Sequence, residues 1–152
     1  METAKIYLKT LLSYYEDEIM GEAYFYGLAD HFDEWGKLAL LAMVERRTAE
    51  SILPLLKKYG LKPRIQSELK ALAQADIDRH ELFTWLQLMS YIVKQYPGYL
   101  DDFAALEKMA PEEDLTTLTI LTDHEVAAIK FAEKEMLGEA DSLTPLHEFL
   151  IR

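Results

Sequence analysis

No cysteine occurs among the 152 residues. The chain therefore has no disulfide framework, no thiolate ligand for a metal and no cysteine nucleophile, and its redox compartment goes unmarked. Glycine and proline are sparse, at six and five residues, and the sequence carries no glycine-rich phosphate loop, nucleophile elbow or catalytic-triad spacing. An unbroken apolar run of about 18 residues is missing too, so no membrane-spanning helix is expected. The opening METAKIYLKT lacks the compact apolar stretch and small-residue cleavage site of a signal peptide, and a cytoplasmic location is the expectation. Positive charge is also scarce: 16 Lys and Arg stand against 27 Asp and Glu, a formal net charge of −11 with the histidines neutral. Such a field repels phosphates and argues against nucleic acid or an anionic membrane as partner. The densest basic group, Lys57, Lys58, Lys62 and Arg64, reads as a helix end, where cations are favourable.

What remains is rich in apolar residues, which make up half of the chain. That supports one core over residues 1–152 and an all-α fold. A first helix is expected from Thr3 to Asp30, with Leu8, Leu12, Tyr15, Ile19, Tyr26 and Ala29 on one stripe. A second should run from Asp33 to Tyr59, with Leu38, Leu41, Thr48, Ile52 and Leu55 or Leu56 inward and Gly60 as its cap. Pro63 is placed to open the next helix. Residues 64–96 read as a third helix, whole or broken near Ala75 to Asp78, followed by a short segment from Tyr99 to Met109. The fourth begins between Pro111 and Thr122 and reaches Leu137, and a terminal helix ends near Ile151. Long helices with short joins describe an antiparallel four-helix bundle with additional short helices. The aromatic residues of the first hairpin, among them Tyr14, Tyr24 and Trp35, read as packing, with an apolar channel as the alternative.

Glu22 and Glu45 interrupt the two apolar stripes. About a turn at Asp30 to Glu34 they fall at similar heights, and a buried carboxylate needs a proton, a base or a metal. Tyr26 shares the Glu22 stripe, where its hydroxyl could donate to a carboxylate.

The stretch from Glu22 to Asp30, with Leu38 to Ala49, resembles the first hairpin of ferritin-like proteins, including the rubrerythrin and diiron tRNA hydroxylase groups. Asp123 to Glu135 resembles their fourth helix. The resemblance implies a ferritin-like bundle, with one Glu on each of two helices and Glu-x-x-His on the other two around iron or manganese. In that pattern Glu22 fills the first position and Glu45 opens the first motif, but Thr48 stands where its His belongs. On the last helix Leu121 replaces the Glu if His124 is the ligand, and Ala128 replaces the His if Glu125 is. Glu81 is the nearest candidate on the third helix, with Asp78 or His80 as alternatives. The separation of Glu22 and Glu45 is also shorter than the first hairpin of rubrerythrins implies.

The candidate metal ligands are thus Glu22, Glu45, Glu81, His124 and Glu125. They point to a divergent metal-dependent oxidoreductase with an incomplete carboxylate–histidine site, holding one ion or none, its organic substrate unspecified. A non-enzymatic scaffold that has lost its metal and a binder of small apolar ligands are the alternatives. The resemblance further implies a homodimer, for which light scattering should report the dimeric mass.

Overall fold

The computed structural model describes residues 2–152, and all regular structure among them is helical. α1 (Glu2–Ala29) and α2 (Trp35–Lys58) form a hairpin about the turn at 30–34. There follow α3 (Gln66–His80), α4 (Trp85–Gln95), α5 (Pro97–Met109), a 3-10 turn at Glu112–Asp114, α6 (Leu115–Met136) and α7 (Thr144–Leu150). The hairpin helices obey the periodicity of a buried seam. On α1 the residues Tyr7, Leu11, Tyr14, Glu18, Gly21, Phe25 and Leu28 follow one another at steps of four and three. On α2 the matching row is Leu38, Leu41, Glu45, Thr48, Ile52 and Leu55. α2 and α6 both end on a glycine in the left-handed region, Gly60 at φ 66° and Gly138 at φ 69°. In each case the next residue donates back into the helix, Leu61 to Leu56 and Glu139 to Lys134, which closes the end without the Cβ penalty another residue would meet.

Paired side chains give the direction of every helix. Lys37 meets Glu135, Glu45 meets His124 and Lys58 meets Asp114, so α2 and α6 are antiparallel. Trp85 bonds Glu135 and Phe103 lies against His124, so α4 and α5 together run down the other side of α6. Tyr7 reaches Asp114 and Glu18 reaches His124, which makes α1 and α6 a parallel pair. The result is a four-helix bundle of α1, α2, α4–α5 and α6 in a ferritin-like arrangement. α3 lies outside it against α1 and returns the chain to the end where α4 begins.

The third region therefore differs from the sequence expectation. Residues 66–80 are a crossover, and the third bundle helix is assembled from α4 and α5. The break falls at 81–84, where Thr84 and Gln87 form a reciprocal capping box, rather than at 75–78. Pro63 lies in an extended linker before α3 and does not open it. Pro97 interrupts α4–α5 by withdrawing its N–H, although Tyr96 before it keeps helical angles.

One continuous set of buried side chains, including Leu11, Phe25, Leu41, Ile52, Leu88, Leu121 and Phe131, fills the bundle, each worth about 1.5–3 kcal/mol of apolar burial. At the lower end Asp114 is fully buried and accepts from Tyr7 at 2.7 Å, Tyr59 at 2.5 Å and Lys58 Nζ at 2.7 Å. Burial alone would push this carboxyl up, but Lys58, Tyr59 and Tyr7 outweigh it and hold the group below its ordinary value. Its contribution to stability is present above the unfolded carboxyl range and is lost as pH falls through the folded one. Asp114→Ala strands the Tyr7 hydroxyl, and thermal melts at neutral pH should show a loss of about 2–3 kcal/mol that shrinks toward pH 3.

Candidate metal centre

Midway along the bundle three helices contribute polar side chains to one buried point. Glu18 comes from α1, Glu45 from α2, and His124 with Glu125 from α6. Glu18 lies eleven residues before the end of α1 and Glu45 ten after the start of α2, so the hairpin sets them level to within about 1.5 Å. His124 Nε2 is 2.8 Å from Glu18 Oε1, 3.2 Å from Glu45 Oε2 and 3.8 Å from Glu125 Oε2. One donor atom each from Glu18, Glu45 and His124 lies within 4.8 Å of the others.

The orientation of the imidazole decides what this cluster can do. His124 Nδ1 is 2.5 Å from the Leu121 carbonyl, which can only accept, so Nδ1 carries the proton. That leaves Nε2 to face the carboxylates. Although the separations are short, Nε2, Glu18 Oε1 and Glu45 Oε2 are buried without a hydrogen-bond partner among the described residues. Three orphaned donor atoms aimed at a common point fit a cation, and a backbone-anchored imidazole is the usual support for a metal-ligating histidine. Oxygen-rich donors with one imidazole and no thiolate suit manganese or iron.

Without a metal, protons must relieve the charge. Burial raises the Glu45 carboxyl well above its usual range, and neighbouring Glu18 adds to the rise against the opposing pull of His124. Glu125 is raised to about 8 by burial, with His124 opposing and Glu45 reinforcing. His124 rises well above its ordinary value, since Glu18, Glu125 and Glu45 overcome the burial that would lower it.

The sequence candidates divide accordingly. Glu45 and His124 meet in the cluster and Glu125 lines its edge. Glu22 does not face Glu45: its carboxylate accepts from Arg46 Nε at 2.8 Å. Tyr26, expected beside it, is exposed. Glu81 sits in the α3–α4 turn, 2.9 Å from His31, because residues 66–80 form the crossover and not a bundle helix. Thr48, in the place of a histidine, donates to the Val44 carbonyl at 2.8 Å and fills the core. His80 is hydrogen-bonded to Tyr24 at 2.6 Å and stacked on Phe83, away from the cluster.

Two residues escaped the sequence reading. Glu18 is the α1 carboxylate, and Gly21 is the space Glu45 occupies: a Cβ at Gly21 would stand 2.7 Å from Glu45 Oε1 and 2.9 Å from its carboxyl carbon. Gly21→Ala removes no donor yet must displace a flexible carboxylate. The variant should fold at least as well as the wild type, since alanine is the better helix former by roughly 1 kcal/mol. Its metal affinity should fall about ten-fold in calorimetric titration, the cost of a misplaced supporting contact.

A cleft of about 240 Å³ reaches the cluster from the side, between α3 and α4–α5. Glu18, Glu45 and Glu125 form its floor, Tyr96, Tyr99 and Phe103 one wall, and Ala73 and His80 the other.

Fold and site together define an all-helical bundle with a partial carboxylate–histidine triad, a site able to coordinate a divalent cation and incomplete as a two-metal centre. No family model matches the chain, and neither a curated protein nor a solved structure matches it.

Proposed function

We propose that the protein is a divergent ferritin-like oxidoreductase working with a single iron or manganese ion held by Glu18, Glu45 and His124, with Glu125 at its side. The observation that carries this reading is the orphaned set: a histidine fixed by Leu121 whose free nitrogen faces two carboxylate oxygens with no hydrogen bond between them. The motif at Glu45 and the segment from Asp123 to Glu135 resemble those of rubrerythrins and diiron tRNA hydroxylases, which supports this reading. Where those motifs need a further imidazole this chain has Thr48, and with His124 as the ligand Leu121 stands in place of the accompanying Glu, which supports one ion rather than a pair. A cytoplasmic location and a homodimer belong to the same proposal and rest on the sequence.

When bound by Glu18, Glu45 and His124, such an ion would supply one-electron chemistry. The chain's residues do the rest. Leu121 fixes the imidazole tautomer by accepting from Nδ1. In the metal-free protein Glu125, raised to about 8 by burial, holds a proton at its carboxyl at neutral pH beside the cleft, and a bound ion would displace it. Tyr96 and Phe103 keep the inner cleft apolar and shield the cluster from bulk water.

The alternative is a scaffold in which His124 is a permanent imidazolium between Glu18 and Glu45, and the rise of its pKa supports that reading in the metal-free state. Metal analysis after anaerobic purification and reconstitution with Fe(II) or Mn(II) separates the two. The metal reading expects one ion per chain. No bound metal in either preparation would leave the scaffold.

A further inference from the structure

We propose that Tyr24 and His80 form a one-electron redox pair, in which the tyrosine gives up an electron and the histidine takes its proton. As electron donor to a bound ion the pair rests on the metal-centre reading; as a redox couple it stands on its own geometry. Tyr24 on α1 and His80 at the end of α3 are both buried, with the phenol oxygen 2.6 Å from Nδ1. Burial, with Tyr91 and Tyr99 adding to it, pushes the phenol up, while burial and Arg79 hold His80 below its ordinary value. At neutral pH the pair is therefore an un-ionised phenol against an uncharged imidazole. Such an imidazole has one bare nitrogen, and the phenol proton, which meets no other acceptor among the described residues, makes it Nδ1. In the proposed step Tyr24 gives one electron to the oxidised ion, its O–H bond breaks and the proton passes to Nδ1. The products are the reduced ion, a neutral phenoxyl and an imidazolium, with charge conserved.

A line of rings connects this pair to the metal cluster. Starting at His124, successive centroids are 5.9 Å apart to Phe103, 6.5 Å to Tyr99, 5.5 Å to Tyr96, 6.4 Å to Tyr91 and 4.5 Å to His80. Tyr24 lies 5.5 Å beyond His80. Each step falls within the roughly 4.5–7 Å of rings in contact. Electron tunnelling decays exponentially with distance, so a chain of contacts carries charge where one long jump would not. The base decides where the vacancy left by the electron comes to rest. A buried phenol that loses an electron but keeps its proton becomes a cation in apolar surroundings, which is costly. Among the described residues Tyr91, Tyr96 and Tyr99 have no hydrogen-bonded base, and Tyr24 has one. Packing alone would not need that arrangement, since phenylalanine and leucine fill such space without a polar atom to satisfy.

The test oxidises the full chain in two ways and reads the product by electron paramagnetic resonance. In the metal-free protein the oxidant is photogenerated tris(bipyridine)ruthenium(III); in protein loaded with Fe(II) the probe is hydrogen peroxide. Both should give a tyrosyl signal coupled to one exchangeable proton, that of the imidazolium, which disappears in deuterated water. Tyr24→Phe should abolish this signal. His80→Gln should shorten its lifetime about ten-fold or more, because an amide accepts the hydrogen bond but cannot hold the proton. Phe103→Leu, which cuts the ring line beside His124, should slow its formation by peroxide about ten-fold and leave the ruthenium product unchanged. A signal that survives in Tyr24→Phe, lacks the exchangeable coupling or is indifferent to His80→Gln would overturn the redox pair. A Tyr24 signal with ruthenium but none with peroxide, in a chain that holds iron, would overturn its role as donor to the ion. The same pattern in a chain that binds no iron would uphold the pair and remove the metal reading.

Discussion

Glu18→Gln is expected to weaken Mn(II) binding by more than about 100-fold, beyond what the loss of a supporting residue costs, whereas Glu22→Gln should leave affinity within about two-fold. Both glutamates are buried on α1, one turn apart, and the substitutions are isosteric. Their surroundings differ. Glu18 presents an unpaired oxygen to His124 at 2.8 Å, and glutamine there replaces an anionic donor by a neutral one. Glu22 already has its cation in Arg46, whose guanidinium is partly exposed, so its loss releases a surface-facing pair of small net worth. Calorimetric titration of the two variants beside the wild type reads the contrast. The reverse order, with Glu22 required and Glu18 dispensable, would mean that the metal sits elsewhere on α1.

Glu45→Gln should destroy metal binding and yet stabilise the metal-free protein, by about 2 kcal/mol at pH 8. In the absence of metal the Glu45 carboxyl is buried beside Glu18 and pushed well up. A glutamine in the same space beside Gly21 keeps the shape, removes the charge and donates its amide to Glu18. The pH dependence has a definite sign. Glu45, Glu125 and His124 all have folded values above their ordinary ones. Each contribution to stability is complete below the unfolded pKa and disappears as pH rises through the folded one. The metal-free wild type should therefore lose stability as pH rises; for Glu125 the window runs from 4.5 to about 8, with a slope of up to about 1.4 kcal/mol per pH unit for each titrating group. The advantage of Glu45→Gln should grow over the same interval. Metal affinity must move the opposite way, rising with pH, because the ion displaces those protons. A metal-free variant less stable than the wild type at pH 8 would show that the Glu45 carboxylate is already satisfied.

The bundle was legible because long stripes and the capping Gly60 mark its helices directly. The α1 register was not. Leu8, Leu12, Tyr15 and Ile19 make a stripe as regular as Leu11, Tyr14 and Glu18, and a shift of one residue turns the helix by about 100°. Both stripes are apolar because α1 packs against α2 and α5 on one side and carries α3 on another, so burial alone could not choose between Glu18 and Glu22. The hairpin could have chosen. Glu22 is only seven residues from the end of α1 while Glu45 is ten into α2, a mismatch in height of about 4.5 Å. The crossover was hidden for a different reason: α3 is a regular helix that runs on from the linker at Pro63, and only the cap at Thr84 marks where the bundle resumes. The spacing to Glu45 placed Thr48 where the resemblance expects an imidazole, and in the structure its hydroxyl is spent on the Val44 carbonyl in the core.

Anomalous diffraction from crystals grown with Mn(II) shows whether Glu18, Glu45 and His124 hold one metal ion. One peak per chain is expected at bonding distance from Glu18 Oε1, Glu45 Oε2 and His124 Nε2. A peak beside Glu22 or Glu81, a bridged pair of peaks, or continuous density for a hydrogen-bonded imidazolium with no peak at all would contradict it.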